Sequence, residues 1–184
     1  MPNTIEDYIR VVDMPEDDPV RSAFLSRAQE GSPTRDENPQ THFCVYFAAI
    51  DPVAERVFIG HHKKSGLWLF NGGHIDRGET LSEALLREIE EEWGWDLIST
   101  APDVGSPQLM TITEIDNPLK QTCTRHYDFW YLLPMDHVQA LFDADLLSKE
   151  FHDYGWLTLP EARDRVTDPA TLKALDFIKQ RVMS

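Results

Sequence analysis

The chain has 184 residues, enough for one domain with a sizeable core and a short appendage. Hydrophobic residues make up 41% and charged residues 27%, an ordinary balance for a soluble globular protein. A net charge of −15 repels a long polyanion and argues against an extended DNA or RNA site. It leaves a small phosphorylated substrate open, provided that metal ions screen the local repulsion.

In chain order, residues 3–30 read as helical. Ile5, Ile9 and Val12 recur at helical spacing, as do Phe24, Leu25 and Ala28, with Pro15 and Pro19 between the two pieces. Gly31 to Gln40 is a polar linker with two prolines, so 1–40 reads as a helical extension and 41–184 as the main domain. The main domain opens with strands at His42–Ile50 and Arg56–His61, turned by Asp51-Pro52, and a short strand at Leu67–Phe70. A helix is expected over Thr80–Trp93. Strands follow at Gln108–Ile115 and Thr122–Leu133, joined through Asp116-Asn117-Pro118. A short helix is expected at Val138–Phe142, a strand at Tyr154–Leu157, a helix at Pro160–Val166 and a closing helix at Thr171–Met183. Strands mixed with a few helices give an α/β (α+β) layered domain.

Met1 to Arg10 is polar and acidic and does not read as a secretory signal. The longest apolar run, Phe43 to Ile50, is far short of the ~20 residues that a membrane span needs. Cys44 and Cys123 each lie in an apolar run and read as buried thiols, with a disulfide or a nucleophile as the alternative. The expectation is a cytoplasmic protein without membrane association.

The stretch Asn71 to Trp95, NGGHIDRGETLSEALLREIEEEWGW, carries the chemistry. Thr80 and Glu83 have the spacing of a capping box at the start of the helix. Leu81, Leu85, Ile89 and Trp93 form an apolar stripe. Glu88, Glu91 and Glu92 sit at i, i+3 and i+4, so their carboxylates share one side and repel one another. A hard divalent cation offsets that repulsion, and Mg²⁺ or Mn²⁺ prefers such oxygen donors. An ordinary solvated acidic face is the alternative for any Glu-rich helix.

The longer pattern resembles the Nudix box: a glycine, five residues, Glu, seven residues, Arg-Glu, an apolar residue, any residue, Glu-Glu, any residue, Gly and a final apolar residue. Gly73, Glu79, Arg87, Glu88, Ile89, Glu91, Glu92, Gly94 and Trp95 fill those positions. The resemblance implies a Nudix fold, a mixed β-sheet sandwiched between helices, here with an N-terminal helical extension. It implies a hydrolase that cleaves a diphosphate linkage in a nucleoside-diphosphate-X-like substrate by metal-activated water attack, with Mg²⁺ as cofactor and Mn²⁺ as a substitute. It assigns Glu88, Glu91 and Glu92 as metal ligands, joined by the carbonyl of Gly72. Glu88 or Glu91 also lies near the attacking water. Gly73, Glu79 and Arg87 would brace the loop. A further acidic ligand is expected before a late Trp-containing strand, and Glu150, six residues before Trp156, suits it; an ordinary surface glutamate is the alternative. Asn71 stands where proline is common, Asp76 is a shortened acidic residue, Arg77 replaces a frequent proline, and Trp95 is bulkier than the usual aliphatic residue.

Lys63 and Lys64 are candidate phosphate ligands, or else a solvated hairpin tip. Tyr127 is a candidate to stack on a base, with core packing as the alternative for the aromatics of its strand. His61, His62 and His74 invite a zinc reading, but adjacent histidines make poor tetrahedral partners and no cysteine supports them. The extension has the character of a lid, a packing element or a dimer arm, the last giving a homodimer. Three rival functions are a nucleotide-sensing binding module with this fold, an isopentenyl diphosphate isomerase and an acidic calcium-binding helix. The complete box disfavours the first, the absence of that isomerase's cysteine motif near Cys44 disfavours the second, and Gly73, Arg87 and Gly94, which a calcium-binding helix would not need, disfavour the third.

Overall fold

A computed structural model describes residues 4–95, 105–115 and 122–182. Six helices and seven strands lie within them. They are α1 (Ile5–Val11), α2 (Pro19–Gln29), β1 (Thr41–Asp51), β2 (Arg56–His62), β3 (Trp68–Leu69), β4 (Asn71–His74), α3 (Leu81–Trp93), β5 (Leu109–Glu114), β6 (Arg125–Pro134), α4 (Ala144–Glu150), β7 (Phe151–Thr158), α5 (Leu159–Arg165) and α6 (Pro169–Arg181). The expected Asp116–Pro118 turn and Met183 fall outside the described residues. The helix expected at Val138–Phe142 is absent. The helix of that region is α4, whose N-cap Asp143 accepts from the backbone N–H groups of Asp145 and Leu146. Asn71–His74 adds a short strand where the sequence suggested loop.

The chain divides into two compact units. The first takes Met1–Tyr46, Gly73–Leu85 and Val104–Tyr131. Here β5 and β6 pair antiparallel, Met110 opposite Phe129 and Ile112 opposite Tyr127. Helix α2 lays Phe24 on this aromatic surface, with ring centroids 5.8 Å from Phe43, 5.2 Å from Tyr127 and 5.1 Å from Phe129. Buried Arg27 donates to the carbonyls of Gly31, Ser32 and Thr41, which fixes the turn after α2. Buried Arg21 does the same for the chain after α1, donating to the carbonyls of Ile9, Val12 and Met14. Each buried guanidinium thereby spends its donors on backbone carbonyls. The boundary expected at residue 40 falls inside this unit, whose core includes Tyr8, Ile9, Val12 and Phe24.

The second unit takes Phe47–Gly72, Leu86–Asp103 and Leu132–Ser184. Its framework is β2, paired antiparallel along its length with β7 and locally with β3 and the end of β1. An aromatic cluster fills the core: Phe142 lies 4.8 Å from Trp93, 4.2 Å from Phe58 and 5.3 Å from Trp95. Trp95 also donates its indole N–H to the carbonyl of Leu141 at 2.6 Å, so its bulk is used in packing and its polar edge is satisfied. Helices α5 and α6 add Ala162, Ala174, Leu175 and Ile178 to the interior.

Candidate metal-dependent active site

Helix α3 carries the acidic residues. The Thr80 hydroxyl accepts from the N–H of Glu83 at 3.3 Å, and the Glu83 carboxylate accepts from the N–H of Thr80 at 2.8 Å. The bonds that the Thr80 N–H and hydroxyl donate to the Glu83 carboxylate hold that carboxyl below its ordinary range. Leu81, Leu85, Ile89 and Trp93 are each at most 1% exposed, so the expected stripe faces the interior and fixes the rotation of the helix. At its end the N–H of Gly94 bonds the carbonyl of Glu90, and the backbone turns left-handed at φ 74°. A Cβ on Gly94 would stand 3.0 Å from that of Asp143, so the last fixed glycine meets both a conformational and a spatial demand.

The second half of α3 brings Arg87, Glu88, Glu91 and Glu92 into the second unit. The Arg87 guanidinium reaches Glu88 at 2.8 Å and Glu91 at 3.3 Å, neutralising part of the acidic face. Glu88 is 8% exposed, whereas the Glu91 side chain is largely in solvent. Glu92 accepts from the Asn71 side-chain amide and from the N–H of Gly72. Burial, reinforced by the negative charges of Glu88 and Glu150, nevertheless pushes the Glu92 carboxyl up to about 8. Glu88 and Glu150 thus both act on Glu92, although Arg87 partly offsets the charge of Glu88 and Lys64 that of Glu150.

Glu150 is the last residue of α4 and runs directly into β7, the strand that carries Trp156. Its carboxylate lies 3.6 Å from His62 and 3.5 Å from Lys64. The Lys63 N–H donates to the Glu150 carbonyl at 2.8 Å, and its ammonium donates to the carbonyl of Ser148. The lysines after β2 therefore brace the end of α4 and the Glu150 side chain. In the first unit, the Glu79 carboxylate accepts from the N–H of Asp76 at 2.9 Å and closes the turn before the helix. Gly73 lies within β4. Tyr127 is 6% exposed, with its ring packed on Phe24 and Phe43.

Sequence reasoning missed the Asn71–Glu92 contact and the His62–Glu150 pair. Asn71 appeared there only as a departure from proline; its side-chain donor was the available signal. A further cluster was missed in the first unit, where His74 gathers with His42, His126 and Cys123. Its members come from separate segments, and only the spacing of Cys123 and His126 hinted at it.

A family model described as the NUDIX domain matches residues 48–177. Among relatives, the nucleoside triphosphatase NudI of Escherichia coli O81 (strain ED1a) is 32% identical over 112 residues, covering 60% of this chain and 74% of its own. The structure of the E. coli dihydroneopterin triphosphate pyrophosphohydrolase aligns with a TM-score of 0.54 at 20% identity, over 77% of this chain and 94% of that one. The solution structure of the E. coli ORF135 protein aligns with a TM-score of 0.55 at 18% identity, over 77% of this chain and 91% of that one.

Proposed function

The chain belongs to the Nudix family and has its α+β fold, and from that premise we propose that it is a divalent-metal-dependent pyrophosphohydrolase acting on a small nucleoside-polyphosphate-like substrate. The observation that carries this reading is the raised Glu92 carboxyl beside Glu88 and Glu150. A buried Glu92 whose neutral form is favoured by burial and by the neighbouring carboxylates is suited to a hard cation, and the residues present fit Mg²⁺, with Mn²⁺ as a substitute. Glu88, Glu91, Glu92 and Glu150, with the carbonyl of Gly72, would hold it. When bound, such an ion supplies charge for the phosphoryl oxygens and lowers the pKa of water.

The chain's own residues supply the rest. Glu88, enclosed and hydrogen-bonded to Arg87, is placed to accept the proton of the attacking water, with Glu91 as the second candidate. Arg87 restrains both carboxylates. Asn71 orients Glu92 through its side-chain amide. Lys63 and Lys64 stand beside Glu150, where a phosphate could replace the Ser148 carbonyl or the carboxylate as their partner. Glu79 and Gly73 shape the approach to the helix. The names of the NudI relative and of the dihydroneopterin triphosphate enzyme favour a triphosphate over other diphosphate linkages. The buried thiols of Cys44 and Cys123 fit a reducing, cytoplasmic setting. No described helix is long and apolar enough to cross a membrane.

A panel of nucleoside triphosphates, nucleotide sugars and dinucleoside polyphosphates tests this reading, with phosphate and pyrophosphate release followed with Mg²⁺ and with EDTA. Metal-dependent release from a triphosphate is expected. Full activity in EDTA would overturn the metal mechanism. Tight nucleotide binding without turnover on any member would favour the binding-module alternative.

A further inference from the structure

We propose that His42, His74, His126 and Cys123 form a tetrahedral zinc site in the first unit, separate in ligands and chemistry from the glutamates of α3. One ligand atom from each of the four lies within 4.8 Å of the other three. The three imidazoles surround a common point, with ring centroids 4.9 Å apart for His42–His74, 4.7 Å for His42–His126 and 5.1 Å for His74–His126. A zinc ion with N and S ligands at about 2.0–2.3 Å has tetrahedral edges of roughly 3.3–3.7 Å, so the four side chains need only a modest contraction around it.

The protonation pattern of His42 supports a ligand role. Its Nδ1 lies 3.0 Å from the carbonyl of Asn38. A carbonyl only accepts, so Nδ1 carries the hydrogen and Nε2 of the neutral ring bears the lone pair. A backbone carbonyl on the far nitrogen is the usual support of a zinc-bound histidine. His42 is 0% exposed, and its Nε2 has no hydrogen-bond partner. His126 is 8% exposed, and its Nε2 likewise has none. Two buried imidazole nitrogens facing one cluster without partners carry a desolvation cost that a bound cation removes.

The donor set selects the metal. Imidazole and thiolate suit zinc and disfavour Mg²⁺, whose ligands are oxygens. Cys123 and His126 are two residues apart in between, a common spacing for a pair of zinc ligands, and His42 and His74 come from β1 and β4. Four protein ligands close the coordination shell, which is the arrangement of a structural site. On binding, the Cys123 thiol releases its proton to solvent and the sulfur binds as thiolate. The ion would tie the start of β1, the end of β4 and the segment entering β6.

The test uses the full chain, expressed in zinc-supplemented medium and desalted without chelator. Zinc is measured per chain by mass spectrometry, and the metal-stripped protein is titrated with Co²⁺ while absorbance is followed. About one zinc per chain is expected, both in the wild type and in a Glu88→Gln, Glu91→Gln, Glu92→Gln triple variant. The cobalt form should show intense tetrahedral visible bands and a thiolate-to-cobalt charge-transfer band in the near ultraviolet. Cys123→Ser should lose the charge-transfer band, and His126→Gln should weaken cobalt binding at least about tenfold. A wild-type chain with no stoichiometric zinc and no thiolate–cobalt band would overturn the proposal, whether or not the variants fold. Zinc retained in Cys123→Ser and His126→Gln but lost in the glutamate triple variant would overturn it too.

Discussion

Asn71 donates its side-chain amide to the Glu92 carboxylate, so the residue at the common proline position is a direct partner of a strongly perturbed carboxyl in the acidic cluster. That bond alone would lower the Glu92 pKa; burial and the neighbouring charges outweigh it and hold the value up to about 8. Between its ordinary value near 4.5 and 8, the folded chain therefore keeps a proton on Glu92 that the unfolded chain has lost. Folding takes up a proton in that window, so metal-free stability declines as pH rises through it. In EDTA, Tm should fall from pH 5 to pH 8 more steeply in the wild type than in Glu92→Gln, with about 2–4 °C for each kcal/mol lost. The Tm gain from Mg²⁺ should grow with pH, because the ionised carboxylate is the form that binds metal. Equal slopes for the two proteins in EDTA would refute the assignment.

Glu150 tests how far the site extends beyond the helix. Its carboxylate already has the Lys64 ammonium and the His62 ring, which burial keeps toward its neutral form, as neighbours, and it helps to raise Glu92. Glu150→Gln removes a surface-accessible charge from the end of a short helix, so the fold should be unchanged and Tm should move by no more than about 0.5 kcal/mol in equivalent stability. The Mg²⁺ concentration for half-maximal rate should rise about tenfold, and kcat should fall. Wild-type rates across the whole metal titration would return Glu150 to an ordinary surface role, with His62 and Lys64 as its only business.

Phe24 gives the N-terminal segment a measurable role. It is 0% exposed and meets Phe43, Tyr127 and Phe129 edge-on or tilted. Phe24→Ala should cost about 3–5 kcal/mol by removing this packing and leaving a cavity. Deleting residues 1–40 removes Arg27 and Phe24 together, and it should expose an aromatic face and lower solubility. Chemical denaturation of the point variant checks the first expectation. A loss below about 1 kcal/mol would show that helix α2 is dispensable to the core and would favour the separable extension that its linker suggests.

Where periodicity and capping agree, the sequence was informative. The apolar stripe of α3 and the Thr80–Glu83 box both stand where spacing put them, because a helix face and its cap are local properties. Helix α4 was misplaced by several residues. Val138 and Leu141 look like a helical stripe but are 74% and 80% exposed, while Asp143 provides the true cap. Apolar spacing drew the helix too early because nothing local revealed that those side chains face solvent. The bonds of Asn71 to Glu92 and of His62 to Glu150, and the gathering of four ligating residues around His42, depend on strand pairing and register. Those contacts join distant segments and leave no periodic trace.

Glu88 offers the sharpest separation of function from stability. It is almost enclosed, accepts from Arg87 at 2.8 Å and adds to the charge that raises Glu92. Glu88→Gln keeps the shape and removes the charge. One consequence is a weaker Arg87 pair, but Arg87 retains Glu91 at 3.3 Å. The opposing consequence is less repulsion at Glu92, a gain in a buried setting where screening is poor. The two offset each other, so metal-free stability should stay level or rise slightly. Catalysis responds without such compensation. If Glu88 takes the proton of the attacking water, kcat should fall by about 10²–10⁴-fold, and further if metal affinity is lost with it. Raising Mg²⁺ should restore only the part due to affinity, leaving the proton-transfer deficit. The decisive measurement is therefore kcat at saturating metal beside Tm in EDTA. Near-normal turnover with unchanged Tm would remove Glu88 from the chemistry and make Glu91 the next candidate for the base.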